Sequence, residues 1–311
     1  MSVVQVHELV KRYGDLVALD HFDLVIEQGE VFGLLGPNGS GKTTAINCIL
    51  QLLTYDKGTI TVFGEPMSPT RYDLKRRIGI VPQNIAVFEE LTVRENIDYF
   101  CALYVKDKAR RRALVDEAIA FVGLQDYTKF RPRKLSGGLA RRLNIACGIA
   151  HKPELIFLDE PTVAVDPQSR NAILEGILRL NREGSTIVYT SHYMEEVEEI
   201  CSRIMIMDHG RVLASGTNNE LKAMIGTGEK IQVEAPELPD AVLDELRRIA
   251  TVQQASYDGK TLEVRCASGA HNLSTVLDAL HSHQIAFGRV YSEPPTLNDV
   301  FLEMTGTGLR D

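Results

Sequence analysis

The chain lacks any apolar run near the roughly 18–20 residues that a membrane-spanning helix needs. Its N-terminus, MSVVQVHELVKRYG, also lacks the basic-then-apolar order of a secretory leader, so the protein is expected to stay inside the cell. Cysteine is scarce. Cys48, Cys101, Cys147, Cys201 and Cys266 are odd in number, scattered and never in a C-x-x-C pair, which excludes a disulfide framework and a zinc knuckle. Their apolar neighbours predict buried thiols. An excess of positive charge is missing too. The formal net charge is −8, and most of it falls from Glu229 to Asp311, where 13 acids face 7 bases. A general nucleic-acid binder needs a basic footprint, so no nucleic-acid partner is expected. No tandem repeat is visible.

What is present is a globular composition. Of 311 residues, 44% are hydrophobic and 24% charged, and the length favours more than one domain. VVQVHELVKRYG and ALDHFDLVIEQGE read as strands, and VFGLLG and LIFLDE as short buried strands of continuous apolar residues. TTAINCILQLL, the stripe Leu139, Leu143, Ala146, Ile149 and Ala150, and QSRNAILEGILRLN read as helices. Strands alternating with helices predict a largely parallel sheet with helices on its faces. Residues 89–134, rich in Glu, Arg, Lys and Ala, read as a helical insertion whose charge run is a solvated face. After Gly226–Gly228 the pattern restarts as β-α-β-β-α-β, the ferredoxin-like order, with a last helix in TLNDVFLEMTG. The expected division is an α/β domain over 1–225 and a small α+β domain over 229–311.

The stretch GPNGSGKTT, residues Gly36, Pro37, Asn38, Gly39, Ser40, Gly41, Lys42, Thr43 and Thr44, follows a strand and opens a helix. It fits G-x-x-x-x-G-K-[ST], a phosphate cradle. Backbone N–H groups must converge on phosphate oxygens, so side chains there would obstruct them. Gly39 and Gly41 let the chain wrap, and the helix N-terminus adds its dipole. Lys42 can reach the β- and γ-phosphates, and the Thr43 hydroxyl can ligate Mg²⁺. Hydrolysis needs a further metal ligand and a group that handles water. LIFLDE ends on both: Asp159 for the metal shell and Glu160 to orient or deprotonate the water. A second glycine-rich helix start is LSGG, with Ser136, Gly137 and Gly138.

A P-loop, then LSGG, then LIFLDEPT resembles the nucleotide-binding subunit of an ABC transporter over residues 1 to about 225. The resemblance implies a P-loop NTPase core of the ABC ATPase type, with ATP and Mg²⁺ as cofactors. It implies that Ser136, Gly137 and Gly138 contact the γ-phosphate of ATP held by a second copy of the chain. It assigns Gln83, in VPQN, to sensing Mg²⁺ and the transmembrane partner, and Tyr13, in KRYG, to stacking on adenine. Asp166, in PTVAVDP, matches the D-loop aspartate, and His192, in TSHYMEE, the histidine that contacts the γ-phosphate. Two positions depart from the family: Leu139 stands where LSGGQ has glutamine, and the D-loop reads Val-Ala-Val-Asp.

PTVAVDPQSR, SHYMEEVEE and PPTLNDVFLEMTG resemble the ATP-binding subunits of bacterial drug- and antibiotic-resistance exporters, including the daunorubicin- and linearmycin-resistance types. That resemblance implies an ATP-dependent dimer at the cytoplasmic face of the cell membrane. It would work with a separate transmembrane permease exporting a drug, antibiotic or lipid-like substrate. The alternative is a soluble ABC ATPase with a regulatory role outside transport.

Overall fold

The computed structural model describes residues 1–267 and 271–305. The chain divides into two compact units, residues 1–217 and a second beginning at Asn218.

The first unit opens with two long strands, β1 (Ser2–Tyr13) and β2 (Leu16–Glu27), then the short β3 (Val31–Leu35) and helix α1 (Lys42–Ile49). β4 (Lys57–Val62), β5 (Glu65–Pro66), α2 (Tyr72–Lys75) and β6 (Ile78–Val81) follow. Next come α3 (Val93–Ala102), α4 (Lys108–Val122) and α5 (Gly137–Ile149). The remainder is β7 (Leu155–Asp159), α6 (Pro167–Arg182), β8 (Thr186–Ser191), α7 (Met194–Ile200), β9 (Arg203–Asp208) and β10 (Arg211–Gly216).

A six-stranded sheet has the order β10-β9-β3-β8-β7-β6 and is parallel except for β10. Every residue of β3, β7 and β8 is buried, and β3 and the first four residues of β7 are uninterrupted apolar runs rather than alternating ones. The opening strands do not join this sheet. β1, β2, β4 and β5 form a separate antiparallel sheet in the order β2-β1-β4-β5. The expected largely parallel sheet is therefore present, and the opening strands add a second, antiparallel one. β2 instead shows the alternating burial of a strand with one wet face. Phe22, Phe32, Leu34 and Phe157 share one core with residues of both sheets. Each such fully buried side chain contributes roughly 1.5–3 kcal/mol.

α1 is shorter than TTAINCILQLL suggested. It stops at Ile49, and Gln51 then adopts a left-handed backbone with φ 55°. α3 is fixed at its start by a reciprocal capping box, Thr92 with Glu95. α3, α4 and α5 share a second apolar cluster built on Val93, Ile97, Val115, Ile119, Leu143 and Cys147. All five cysteines are buried and free.

The second unit starts with α8 (Asn218–Ala223), which packs on the last helix rather than closing the first unit as a boundary at 225 implied. Then come β11 (Thr227–Glu234), α9 (Asp240–Leu246), β12 (Val252–Tyr257), β13 (Thr261–Ala267), α10 (Asn272–Ser282), β14 (Val290–Glu293) and α11 (Leu297–Thr305). The strand order β12-β13-β11-β14, antiparallel throughout, is that of the ferredoxin-like fold. Its core gathers Ile231, Val233, Leu246, Val264, Val276 and Leu280.

Candidate active site

The parallel register brings the polar motifs to one sheet edge. Leu35 pairs with Ser191, Asp159 with Thr190, and Val81 with Leu158. Gly36, Glu160, His192 and Gln83 therefore all leave the sheet at its carboxyl end, where open α/β sheets bind their ligands.

β3 runs into the glycine-rich loop, whose shape leaves no room for a side chain at Gly36 or Gly41. A Cβ at Gly36 would lie 2.3 Å from the Met207 carbonyl oxygen. Gly41 has φ +107°, and a Cβ there would lie 2.7 Å from the Ala18 carbonyl oxygen. α1 begins at Lys42, so its first amides have no partner inside the helix and point to where an anion would sit. The buried Ser40 Oγ has no hydrogen-bond partner, as befits a donor that awaits a ligand. Gly41→Ala is expected to strain the loop by about 1–3 kcal/mol. Thermal melting should show that loss, and nucleotide titration should show weaker binding than in the parent chain.

Lys42 is 5% exposed. Its ammonium donates to the carbonyl oxygens of Gly36 at 2.7 Å and Pro37 at 3.1 Å, and lies 3.5 Å from Glu160 Oε1. Burial pushes it below the ordinary lysine range, and the Glu160 carboxylate acts against that push. Thr43 donates to Asp159 Oδ2 at 2.9 Å, and Thr190 donates to Asp159 Oδ1 at 2.6 Å. Glu160 is 4% exposed and has a left-handed backbone with φ 46°, an uncommon state for a residue with a side chain. Its amide donates to Thr190 Oγ1 at 3.0 Å. Its carboxylate accepts from Gln83 Nε2 at 3.0 Å, and His192 Nδ1 lies 3.3 Å away with no hydrogen-bond partner of its own.

Two residues that the sequence reading passed over support this cluster. Thr190 bridges Asp159 and Glu160, and Arg141 on α5 donates to the carbonyl oxygens of Gln83 at 2.7 Å and Pro82 at 3.3 Å. Thr190 had only a weak signal, as one of several hydroxyls in STIVYTSH. Arg141 had none, since Arg-Arg pairs also occur on solvated helices.

The other expected residues lie elsewhere. Tyr13 ends β1, is 46% exposed and carries the Lys11 ammonium 5.0 Å from its ring centre. The β1–β2 hairpin continues from it to Ala18, whose carbonyl faces Gly41. Ser136 caps α5 by accepting from the Leu139 amide at 3.3 Å. Asp166 caps α6 in the same way from Ser169, and that contact holds its carboxyl below the usual range. A Cβ at Gly138 would lie 2.8 Å from Ser169 Oγ, whereas one at Gly137 would meet nothing closer than 3.7 Å. Among the described residues, no hydrogen bond or ion pair joins Ser136–Gly138 to residues 36–44.

The donors around Asp159 fit a hard cation. Thr43 Oγ1 and the Asp159 carboxylate offer oxygens side by side, the sparse protein set that suits Mg²⁺ when phosphate and water complete the shell.

A lysine in a glycine cradle, a threonine–aspartate pair and a buried glutamate beside them define an ATPase site of the P-loop class. Comparison with known proteins agrees. The sequence pattern of the ABC transporter family matches residues 19–163, and that of the C-terminal domain of DrrA1-3-like ATP-binding proteins matches residues 216–305. The linearmycin resistance ATP-binding protein LnrL of Bacillus subtilis is 38% identical over 313 residues, spanning 99% of this chain and 100% of that one. The daunorubicin resistance ATP-binding protein DrrA3 of Streptomyces coeruleorubidus is 38% identical over 312 residues, spanning 99% and 98%. The solved dimeric ATP-binding cassette MJ0796, in a post-hydrolysis state bound to ADP and Pi, is similar at TM-score 0.64 and 26% identity. The match covers 69% of this chain and 98% of that one. The chain belongs to the ABC transporter family as an ATP-binding, ATP-hydrolysing protein.

Proposed function

We propose that the chain powers export of a drug, antibiotic or lipid-like substrate, as one of two identical ATPase subunits docked on a separate transmembrane partner at the cytoplasmic face of the membrane. The names of its relatives support the export reading. Resistance to linearmycin and to daunorubicin, and export of Nod factor, are what those proteins are named for. Among the described residues no helix is long and apolar enough to cross a membrane, and the proposal assigns the passage to the partner.

The geometry supports the following hydrolytic step. The loop amides and Lys42 hold the β- and γ-phosphates, and Tyr13 offers its ring to the adenine. Thr43, Gln83 and Asp159 would hold Mg²⁺, which when bound offsets phosphate charge. Glu160 orients a water for attack on the γ-phosphorus and takes its proton. The new oxygen–phosphorus bond forms as the bond to the bridging oxygen breaks, releasing ADP and inorganic phosphate. His192, beside Glu160, contacts the γ-phosphate and is held out of the bulk solvent, with 20% of its side chain exposed.

The observation that carries the paired arrangement is the separation of the two glycine-rich helix starts. Ser136, Gly137 and Gly138 share no hydrogen bond with their own P-loop among the described residues, and Ser136 and Gly137 are exposed. A second copy would bring them over ATP, and ATP binding would then shift monomers toward a closed pair. ATP is therefore expected to drive Glu160→Gln into dimers. Adding Ser136→Arg should abolish that dimer while leaving monomer ATP affinity within about two-fold, a difference of ~0.4 kcal/mol. Sedimentation with nucleotide titration decides the matter. Loss of ATP binding by the Ser136→Arg monomer would sink the shared site. For the export reading, tagged chain should sediment with the membranes of its own cells and bring down an integral membrane protein. Recovery only in the soluble fraction speaks for the regulatory alternative.

A further inference from the structure

Behind His192 lies a buried carboxylate that the hydrolytic step does not use. Glu196, on α7, is 0% exposed. Its Oε2 accepts from Tyr189 at 2.6 Å, Thr162 at 2.9 Å and Ser191 at 3.0 Å. Its Oε1 pairs with Arg170 Nε at 2.7 Å. These partners come from separate segments. Thr162 follows Glu160 by two residues, Ser191 immediately precedes His192, and Arg170 sits one turn into α6, its amide bonded to the Asp166 carbonyl at 2.9 Å. Three hydroxyl donors on Oε2 and the guanidinium charge beside Oε1, which accepts no aligned hydrogen bond, offset the cost of burying the carboxylate.

The same guanidinium makes a second contact. It lies 5.3 Å from the centre of the Tyr193 ring, which in turn lies 4.2 Å from the His192 ring at an angle of 40°. Tyr193 is also tied from its backbone, its amide donating to Ser191 Oγ at 2.9 Å. His192 thus has the Glu160 carboxylate on one side and the Tyr193 ring on another. Tyr193 is backed by the arginine that Glu196 anchors.

We infer that Arg170, Glu196 and Tyr193 are positioning residues for His192, tying the histidine's place beside Glu160 to the start of α6 at Asp166. A shift of α6 moves Arg170, and with it the ring against which His192 rests. The inference depends on His192 serving the γ-phosphate as proposed above. What it adds is that the histidine's position is set from α6 and not only by the strand that carries it.

The test reads His192 directly. In protein labelled at its histidines, the His192 imidazole resonance is assigned as the one missing from His192→Ala. Tyr193→Ala is chosen because Tyr193 is 38% exposed, so its loss spares the core. It is expected to move or broaden that resonance and to lower kcat about ten-fold, equal to ~1.4 kcal/mol of barrier. The Kd for ATP should stay within two-fold. Tyr193→Phe, which keeps the ring, should recover most of the loss. Arg170→Met should reproduce the Tyr193→Ala pattern. An unmoved His192 resonance in Tyr193→Ala, or an unchanged kcat, overturns the inference. A His192→Ala protein with parental kcat overturns instead the assignment of His192 to the γ-phosphate. The two failures are therefore separable.

Discussion

Glu160→Gln is expected to lower kcat about 10²- to 10⁴-fold, the range that a positioned general base supplies. The substitution keeps the shape of a side chain that is 4% exposed, and keeps a carbonyl oxygen to accept the Gln83 amide. It removes the carboxylate that faces Lys42 at 3.5 Å and His192 at 3.3 Å. ATP should bind at least as tightly as to the parent, because a negative charge beside the phosphates has gone. The nucleotide-bound state then persists. Steady-state phosphate release and equilibrium nucleotide titration on the same preparation measure both effects. Parental turnover in pure Glu160→Gln would remove the glutamate from the chemistry.

Lys42→Ala should fail at the earlier step. Its ammonium is a charged donor, and losing such a contact costs roughly 1.5–3 kcal/mol, or about 10- to 150-fold in ATP affinity. The variant also strands Glu160, which is buried against the lysine, so some loss of stability is expected with it. The double variant Lys42→Ala/Glu160→Gln separates the two effects. Removing both charges should restore the melting temperature but not the affinity. Titration of the folded double variant decides the point: an ATP Kd equal to that of Glu160→Gln would contradict the cradle.

The parts of this site that could be read in the sequence are those fixed by local backbone demands. GPNGSGKTT is legible because Gly36 and Gly41 stand where any Cβ would strike a carbonyl oxygen. β3 and residues 155–158 of β7 are legible because strand positions buried on both faces are filled by apolar residues. The separate antiparallel sheet was not legible. Alternation along β1 and β2 shows that one face is wet, but not which strand lies alongside. Nor does local pattern reveal that α8 packs with α11, since a six-residue helix carries too few apolar positions to choose a partner. The supports of the site are long-range for the same reason. Arg141 reaches Gln83 across 58 residues of chain, and Glu160 holds a left-handed backbone that a glycine would have advertised. Leu139, unusual at its place in LSGG, keeps its backbone role as the amide that Ser136 caps.

The five buried thiols make the chain a quiet background for chemical labelling. Burial pushes the Cys48 thiol up to about 11, and moves Cys101, Cys147, Cys201 and Cys266 in the same direction. At neutral pH a thiol of that acidity is thiolate in only about one molecule in 10⁴, and the thiolate is the reactive form. A single cysteine placed on the surface would thus outcompete all five natural ones for a maleimide or a spin label. Spectroscopic rulers between two copies could be installed without first stripping the core of its own sulfur, and without the cavities that such stripping leaves.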